Sequence, residues 1–255
     1  MRFEKWHALG NAYVLVVQPE AGPLTPERVR RLCAADTGIG SDGVVEVLTH
    51  EEARAEIAVW NPDGSRAEMS GNGTRIAAAW LFRNLGEVAA EIVTAGRLVR
   101  AKAAEGGLVR QEIGDVVVAD DEQVELSGER LVVIPVDVGN PHAVVRRDTL
   151  SRDDLLRIGP ALETHPRFPA RTNVQLARPE SRDSVDMLVW ERGAGETRAS
   201  GSSAAAVGAA AVARGWCTSP VRVAMPGGEL LVEVSGSSVV LIGPAEEICA
   251  GTTAL

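Results

Sequence analysis

Glu68-Met69-Ser70-Gly71-Asn72-Gly73-Thr74-Arg75, running into residues 76–80, and Thr197-Arg198-Ala199-Ser200-Gly201-Ser202-Ser203, running into residues 204–213, look like two copies of one device. In each, a strand-and-loop passage gives way at a serine and a glycine to an alanine-rich helix. A helix start presents N–H groups with no intrahelical acceptor, together with the positive end of the helix dipole, so it can hold an anion. Two such starts can grip one small carboxylate and set a side chain on each side of it. That arrangement suits proton removal from one face of a carbon and delivery to the other.

Outward from these turns, each half of the chain follows one plan. In the first half, residues 2–8 and 13–18 read as strands joined by a turn at Gly10-Asn11. Thr25 caps a helix that begins at Pro26, with Glu27 in its first turn. Strands follow at residues 44–48 and 55–60, and Asn61-Pro62-Asp63-Gly64-Ser65 makes a tight turn before the first serine. Short strand-like stretches at 91–93, 98–101, 108–113 and 115–118 complete this half. In the second half, strands are expected at 132–138, 143–146, 171–176 and 184–190, with a helix from Asp153 that ends before Pro160. Glu191-Arg192-Gly193-Ala194-Gly195-Glu196-Thr197 reads as a loop into the second serine device, and strands at 221–225, 230–234 and 238–242 close the chain. The economical explanation is duplication. The expected fold is α+β, with two similar halves, each a helix-bearing, mostly antiparallel sheet. The expected domains are residues 1–114, joined by the tail 247–255, and residues 115–246.

Composition narrows the function. At 255 residues with 45% hydrophobic side chains, the chain can bury a sizeable core. A formal charge of −9 argues against nucleic acid or an anionic membrane as partner. The start of the chain lacks the apolar run of a secretory leader, and no eighteen-residue apolar run exists, so a cytoplasmic location is expected. Three cysteines (Cys33, Cys217 and Cys249) lack metal-ligand spacing, and four histidines make no zinc motif, so no metal is expected. The loop Gly38-Ile39-Gly40-Ser41-Asp42-Gly43 fits neither the dinucleotide nor the triphosphate spacing.

His7-Ala8-Leu9-Gly10-Asn11, the loop 38–43, the turn 61–65, Ser70–Arg75, Gly139-Asn140-Pro141-His142, Thr172-Asn173, Glu191-Arg192-Gly193, Glu196-Thr197, Pro226-Gly227-Gly228 and Gly243-Pro244-Ala245 occur in an order that resembles the diaminopimelate epimerase family. Each motif is weak alone; together they cover nearly the whole chain. The resemblance implies two similar domains related by a pseudo-twofold, each a barrel-like, mostly antiparallel sheet around a central helix, with the site in a cleft between them. It also implies a small amino-acid or carboxylate substrate, a homodimer, and cofactor-independent epimerisation by two bases. On that resemblance Ser70, Ser200, His142 and Glu191 take the catalytic positions. Asn11, Asn61, Gly71, Asn72, Asn140, Asn173, Arg192, Gly201 and Ser202 take the substrate-binding ones, with Arg192 on a distal carboxylate.

The departure from the family's pattern lies at the bases, where both thiols are replaced by Ser70 and Ser200. A thiol titrates near about 8.5 and is readily tuned toward thiolate, whereas an alcohol is far less acidic. Three explanations compete: an engineered pair of substitutions, a natural member with altered chemistry, or one that binds without catalysis. Gly201-Ser202-Ser203 in place of the family's Gly-Thr-Gly, and Ala12 in place of its usual Asp, favour divergence. An epimerase acting on LL-diaminopimelate, another racemase or isomerase of the same fold, and a non-catalytic binding homologue all remain open. Read alone, Ser70 and Ser200 are helix caps, Asn61 and Asn140 turn formers, and Glu191-Arg192 a surface ion pair.

Overall fold

Strands Arg2–Ala8 and Asn11–Val17 form an antiparallel hairpin in the computed structural model. Its turn residues, Leu9 and Gly10, are both left-handed (φ 56° and 82°), as a two-residue hairpin turn requires. The sequence places this turn at Gly10-Asn11; in the structure Asn11 already belongs to the strand. The structure describes residues 1–67, 70–126 and 128–255, so Glu68 and Met69 of the first serine device lie outside the described residues. By its contacts the chain divides into two units, Met1–Gln111 with Ile242–Leu255, and Glu112–Leu241.

The duplication is visible in the pairing order. In the first unit, Asn11–Val17 runs parallel to Val44–Glu51 after the crossover helix α1 (Pro26–Cys33). Val44–Glu51 pairs antiparallel with Arg54–Trp60, which lies parallel to Ala89–Thr94 after the crossover helix α2 (Gly71–Leu85). Ala89–Thr94 then pairs antiparallel with Arg97–Ala104. In the second unit, Glu129–Asp137 pairs antiparallel with Pro141–Arg146, which is parallel to Asn173–Pro179 after α3 (Arg152–Glu163). Asn173–Pro179 pairs antiparallel with Ser184–Glu191, which is parallel to Val221–Met225 after α4 (Gly201–Ala213), and Gly228–Ser235 adds antiparallel. Each unit is thus an α+β sheet with the same succession of pairings and two helices.

The two helices of a unit play different parts. α1 is amphipathic and buries Val29, Leu32 and Cys33 against Val14, Val16, Val44 and Trp60. Its start is as the sequence predicts: the Thr25 side chain accepts from the Arg28 N–H, and Pro26 takes the first turn. α2 and α4 are instead buried on nearly every side. All residues from Gly71 to Leu81 are buried, within a core that includes Trp6, Tyr13, Leu15, Ile57, Ile92 and Val99. In α4 the burial extends from Ser203 to Ala211. Alanine and glycine permit this, because strands can approach a helix of small residues from all sides.

Several elements differ from the sequence reading. α3 continues through Pro160 to Glu163. Its last turn buries Leu162 in the core, and the Glu163 carboxylate accepts from Trp190 Nε1 and the Gly193 N–H. These contacts outweigh the one helix hydrogen bond that proline removes. The strand expected from Arg171 begins at Asn173, since Arg171 itself is left-handed (φ 60°). A strand not expected from the sequence, Glu246–Thr252, pairs antiparallel with Arg2–Ala8. Most of its side chains are exposed, so no apolar alternation marks it.

The closeness of helix to sheet makes a testable demand at Gly208. A Cβ there would lie 2.6 Å from Val232 Cγ1. Gly208→Val is expected to destabilise the protein by about 1–3 kcal/mol through overpacking. A urea midpoint equal to that of the wild type, at equal m-value, would contradict this packing.

Candidate active site

The first serine turn is held by its own cap and by the sheet beneath it. Ser70 is the N-cap of α2, with its Oγ accepting from the Gly73 N–H at 3.0 Å. The first intrahelical bond is made by the Thr74 N–H to the Ser70 carbonyl, so helix geometry leaves the Gly71 and Asn72 N–H groups without an intrahelical acceptor. Asn72, 6% exposed, donates from Nδ2 to Asn11 Oδ1 at 3.1 Å and accepts from Arg75 Nη2 at 2.9 Å. Arg75 is fully buried and also donates from Nε to the Pro244 carbonyl. Burial pulls its pKa down to about 10. Thr74 and Gln111 close the underside: Thr74 Oγ1 donates to Gln111 Oε1, and Gln111 Nε2 donates to the Gly71 carbonyl.

The second serine turn is richer in titratable groups. Ser200, 4% exposed, is the N-cap of α4, though its contact with the Ser203 N–H is longer, at 3.5 Å. Its Oγ lies 3.5 Å from Ser202 Oγ, which lies 3.3 Å from His142 Nε2. His142 Nδ1 is 3.0 Å from the Asn140 carbonyl. A carbonyl only accepts, so the ring proton sits on Nδ1, and Nε2 accepts from the Ser202 hydroxyl. Burial depresses the His142 pKa to about 4, so the imidazole is neutral at pH 7. Glu191 is shifted the other way: burial raises its pKa, opposed by hydrogen bonds from the Thr197 and Ser200 hydroxyls. The Thr197 bond is 2.7 Å long.

The remaining predicted residues divide. Asn173 lies opposite His142 in the parallel register, donates to the Pro141 carbonyl at 3.0 Å and accepts from the Arg192 N–H at 2.9 Å. It therefore ties the Asn140–His142 segment to the Glu191–Arg192 turn. Arg192 donates from Nη1 to the Ala170 carbonyl at 3.2 Å. Asn140 contributes its backbone carbonyl to His142, while its side-chain oxygen is buried without a partner among the described residues. Gly201 is buried and Ser202 partly so at the head of α4. Asn61 is not brought into the Ser70 cluster. It is exposed, and its side chain donates to Ser65 within its own turn, the part a turn-forming asparagine plays.

Three residues of these clusters had no assigned part in the sequence reading. Tyr13 places its hydroxyl 3.2 Å from Ser70 Oγ. It is the chain's single tyrosine, set in an apolar strand, and a polar tip in such a run is the signal that marks it. Arg75 fixes Asn72, and Glu163 fixes the Glu191–Gly193 loop through Gly193. No cluster of three metal-binding side chains occurs among the described residues, and no helix there is long and apolar enough to cross a membrane.

The depressed His142 pKa has a stability consequence. A group neutral in the fold but free to protonate when unfolded contributes stability above the unfolded value of about 6.5, and that stability is lost as pH falls toward about 4. Between pH 7.5 and 5 the wild type is expected to lose roughly 2 kcal/mol more than His142→Asn, read by urea unfolding. Parallel stability curves would show that His142 protonates as freely in the fold as outside it.

The sequence pattern of the family described as diaminopimelate epimerase matches residues 3–119 and 134–248. Diaminopimelate epimerase 2 of Nostoc sp. is 39% identical over 254 residues, covering 92% of this chain and 88% of its own. Diaminopimelate epimerase of Carboxydothermus hydrogenoformans is 36% identical over 270 residues, covering 98% of each chain. Among solved structures, a probable proline racemase of Agrobacterium radiobacter superposes with a TM-score of 0.76 at 19% identity, over 100% of this chain and 93% of that one, which is a likeness of fold. With two serine-capped helices, a matched pattern over most of both units and full-length relatives well above 30% identity, the chain belongs to the diaminopimelate epimerase family.

Proposed function

We propose that the protein is a cofactor-independent amino-acid epimerase that interconverts LL- and meso-diaminopimelate by two-base proton transfer. The observation that carries this reading is the repeated capped turn: each unit sets a hydroxyl at the N-terminus of a buried helix, beside N–H groups that suit an α-carboxylate. Those N–H groups also stabilise the charge that develops on the carboxylate as the α-proton leaves. One turn supplies the group that removes the proton, the other the group that returns it. At Ser200 the acid–base capacity comes from the neighbours. The Ser200 hydroxyl helps to hold down the Glu191 pKa, and His142 reaches that hydroxyl through Ser202. Asn11, Asn72, Asn140, Asn173 and Arg192 bind the polar ends of the substrate, with the Arg192 fork suited to a distal carboxylate. In a cell this reaction belongs to lysine and peptidoglycan synthesis. We place it in the cytoplasm and in a homodimer on the resemblance to the family.

A second reading, a binding protein without turnover, rests on the same two caps, since a cap needs no chemistry. Proton NMR of LL-diaminopimelate in D₂O with the purified protein separates the two. Loss of the α-proton signal with appearance of the meso isomer is the expected result. Line-broadening without exchange would establish the binding reading instead, and neither would remove diaminopimelate as ligand. Ser70→Cys with Ser200→Cys is expected to raise exchange by about 100-fold or more, since a thiol is the stronger acid. An unchanged rate would show that the hydroxyls do not limit the reaction.

A further inference from the structure

Among the described residues, the Ser70 side lacks the carboxylate and imidazole of the Ser200 side. No carboxylate or imidazole bonds the Ser70 hydroxyl among the described residues; its side-chain partners are the Gly73 N–H and the Tyr13 hydroxyl at 3.2 Å. The Gly73 bond occupies a lone pair of Ser70 and leaves its proton to donate. The two hydroxyls can therefore pass a proton either way along one hydrogen bond. On the helix that Ser70 caps lies Arg75, fully buried. Its Nε and Nη2 are taken by Pro244 and Asn72, and its Nη1 has no partner among the described residues. An ionised Tyr13 stabilises the charge on Arg75, so the two groups feel each other. Phenols ionise near about 10, far more readily than an aliphatic alcohol.

We infer that Tyr13 is the proton reservoir behind Ser70, a positioning residue that acts on the substrate only through the serine hydroxyl. This rests on the epimerase reading. In the deprotonating direction Ser70 Oγ takes the α-proton as the Tyr13 oxygen, in its ionised form, takes the Ser70 proton. The C–H bond and the old Ser70 O–H bond break, while a new Ser70 O–H and the Tyr13 O–H form. The C–H electron pair stays on the substrate, delocalised into its carboxylate beside the α2 N-terminus, so the negative charge passes from phenolate to substrate. In the opposite direction the phenol gives its proton to Ser70 as Ser70 gives its own to carbon.

The surroundings suit a charge that comes and goes. Tyr13 is 8% exposed and pairs with Trp6 across the hairpin. On that facing strand, Glu4 accepts from the Trp6 and Trp80 indoles, while Lys5 and His7 alternate to the opposite side; Lys5 donates to the Ile39 carbonyl, and His7 meets Glu246. In the C-terminal strand, Glu247 is ion-paired with Arg83. On the tyrosine's own strand and loop, Asp42 accepts from the Ala12 N–H at 2.7 Å. From the parallel strand Val44–Glu51, Val45 and Val47 join the core that holds Tyr13, and Glu46 is spent on Trp60, Gln18 and Arg66. Arg75 is left as the cation on the element that carries Ser70.

Because Tyr13 is the chain's single tyrosine, growth on 3-fluorotyrosine changes this residue alone. The measurement is α-proton exchange of LL- and meso-diaminopimelate in D₂O against pH, for wild-type, fluorotyrosyl and Tyr13→Phe proteins. The expected result is that one limb of the exchange profile moves to lower pH in the fluorotyrosyl protein. Tyr13→Phe should slow exchange about 100-fold or more with substrate KM little changed. A limb that stays in place, or a Tyr13→Phe protein that exchanges at the wild-type rate, overturns the role of Tyr13 and leaves the epimerase reading standing. No exchange by the wild type overturns both. A Tyr13→Phe protein that fails to fold loses substrate binding as well; the limb of the near-isosteric fluorotyrosyl protein, moved or unmoved, then decides the role of Tyr13.

Discussion

The N-cap hydrogen bond at the head of each buried helix is the constraint on which the rest is built. α2 and α4 run through apolar surroundings, so an unsatisfied N–H at either start would be costly. Serine answers that demand locally, with Oγ on the Gly73 and Ser203 amides. The cap also fixes where the next two amides point, which is where an anion would lie. One hydroxyl therefore closes the helix, aims the amides and stands at the edge of the carboxylate position. In α4 the alanine-rich sequence behind the cap answers a close sheet, which Val232 brings up against Gly208.

Around this common frame the two units have diverged in chemistry while keeping topology. The second unit surrounds Ser200 with two ionisable groups whose pKa values burial drives in opposite directions: Glu191 up, His142 down to about 4. Both are thereby pushed toward neutrality, a state in which each can exchange a proton with a neighbouring hydroxyl without carrying charge into an apolar core. The first unit has a buried arginine and a phenol in the corresponding neighbourhood. Arg75 also orients Asn72, whose carboxamide must present its oxygen to the guanidinium and therefore its nitrogen to Asn11. A single buried cation thus sets the direction of a polar chain that reaches the start of the hairpin's second strand.

The parts legible in the sequence are those with local causes. The Thr25-Pro26 start, the serine-glycine turns and the alternating strands announce themselves because the atoms that stabilise them lie within a few residues. The clusters around Ser70 and Ser200 were partly legible for the same reason: Glu191, Thr197 and Ser200 share one short stretch, as do Ser70 and Asn72. What escaped depends on partners far along the chain. The last turn of α3 survives its proline because Glu163 serves Trp190 and Gly193, some thirty residues on. The Glu246–Thr252 strand owes its place to backbone pairing with the first strand and not to its own side chains. Tyr13 is hidden within an apolar run, and its contact with Ser70 exists only once the sheet is formed.

Replacing a thiol by a hydroxyl at such a turn separates two jobs that one atom otherwise does together. Serine ranks among the strongest helix caps, so the fold loses nothing by the change. Acidity is what is lost, and it cannot be recovered at the oxygen itself, since neither a helix dipole nor a few hydrogen bonds holds an alkoxide at neutral pH. Recovery has to come from a second group in hydrogen-bond contact, one acidic enough to take the proton and close enough to take it in the same step. Ser70 has such a contact in the Tyr13 phenol; at Ser200 the His142 imidazole is reached through Ser202, and the hydroxyl's lowering effect on the Glu191 pKa marks that carboxyl as its neighbour. A turn whose only duty was structural would call for apolar neighbours that shield the cap. The polar, titratable neighbours found at both turns add desolvation cost to the fold, a cost that the proposed proton transfer would account for.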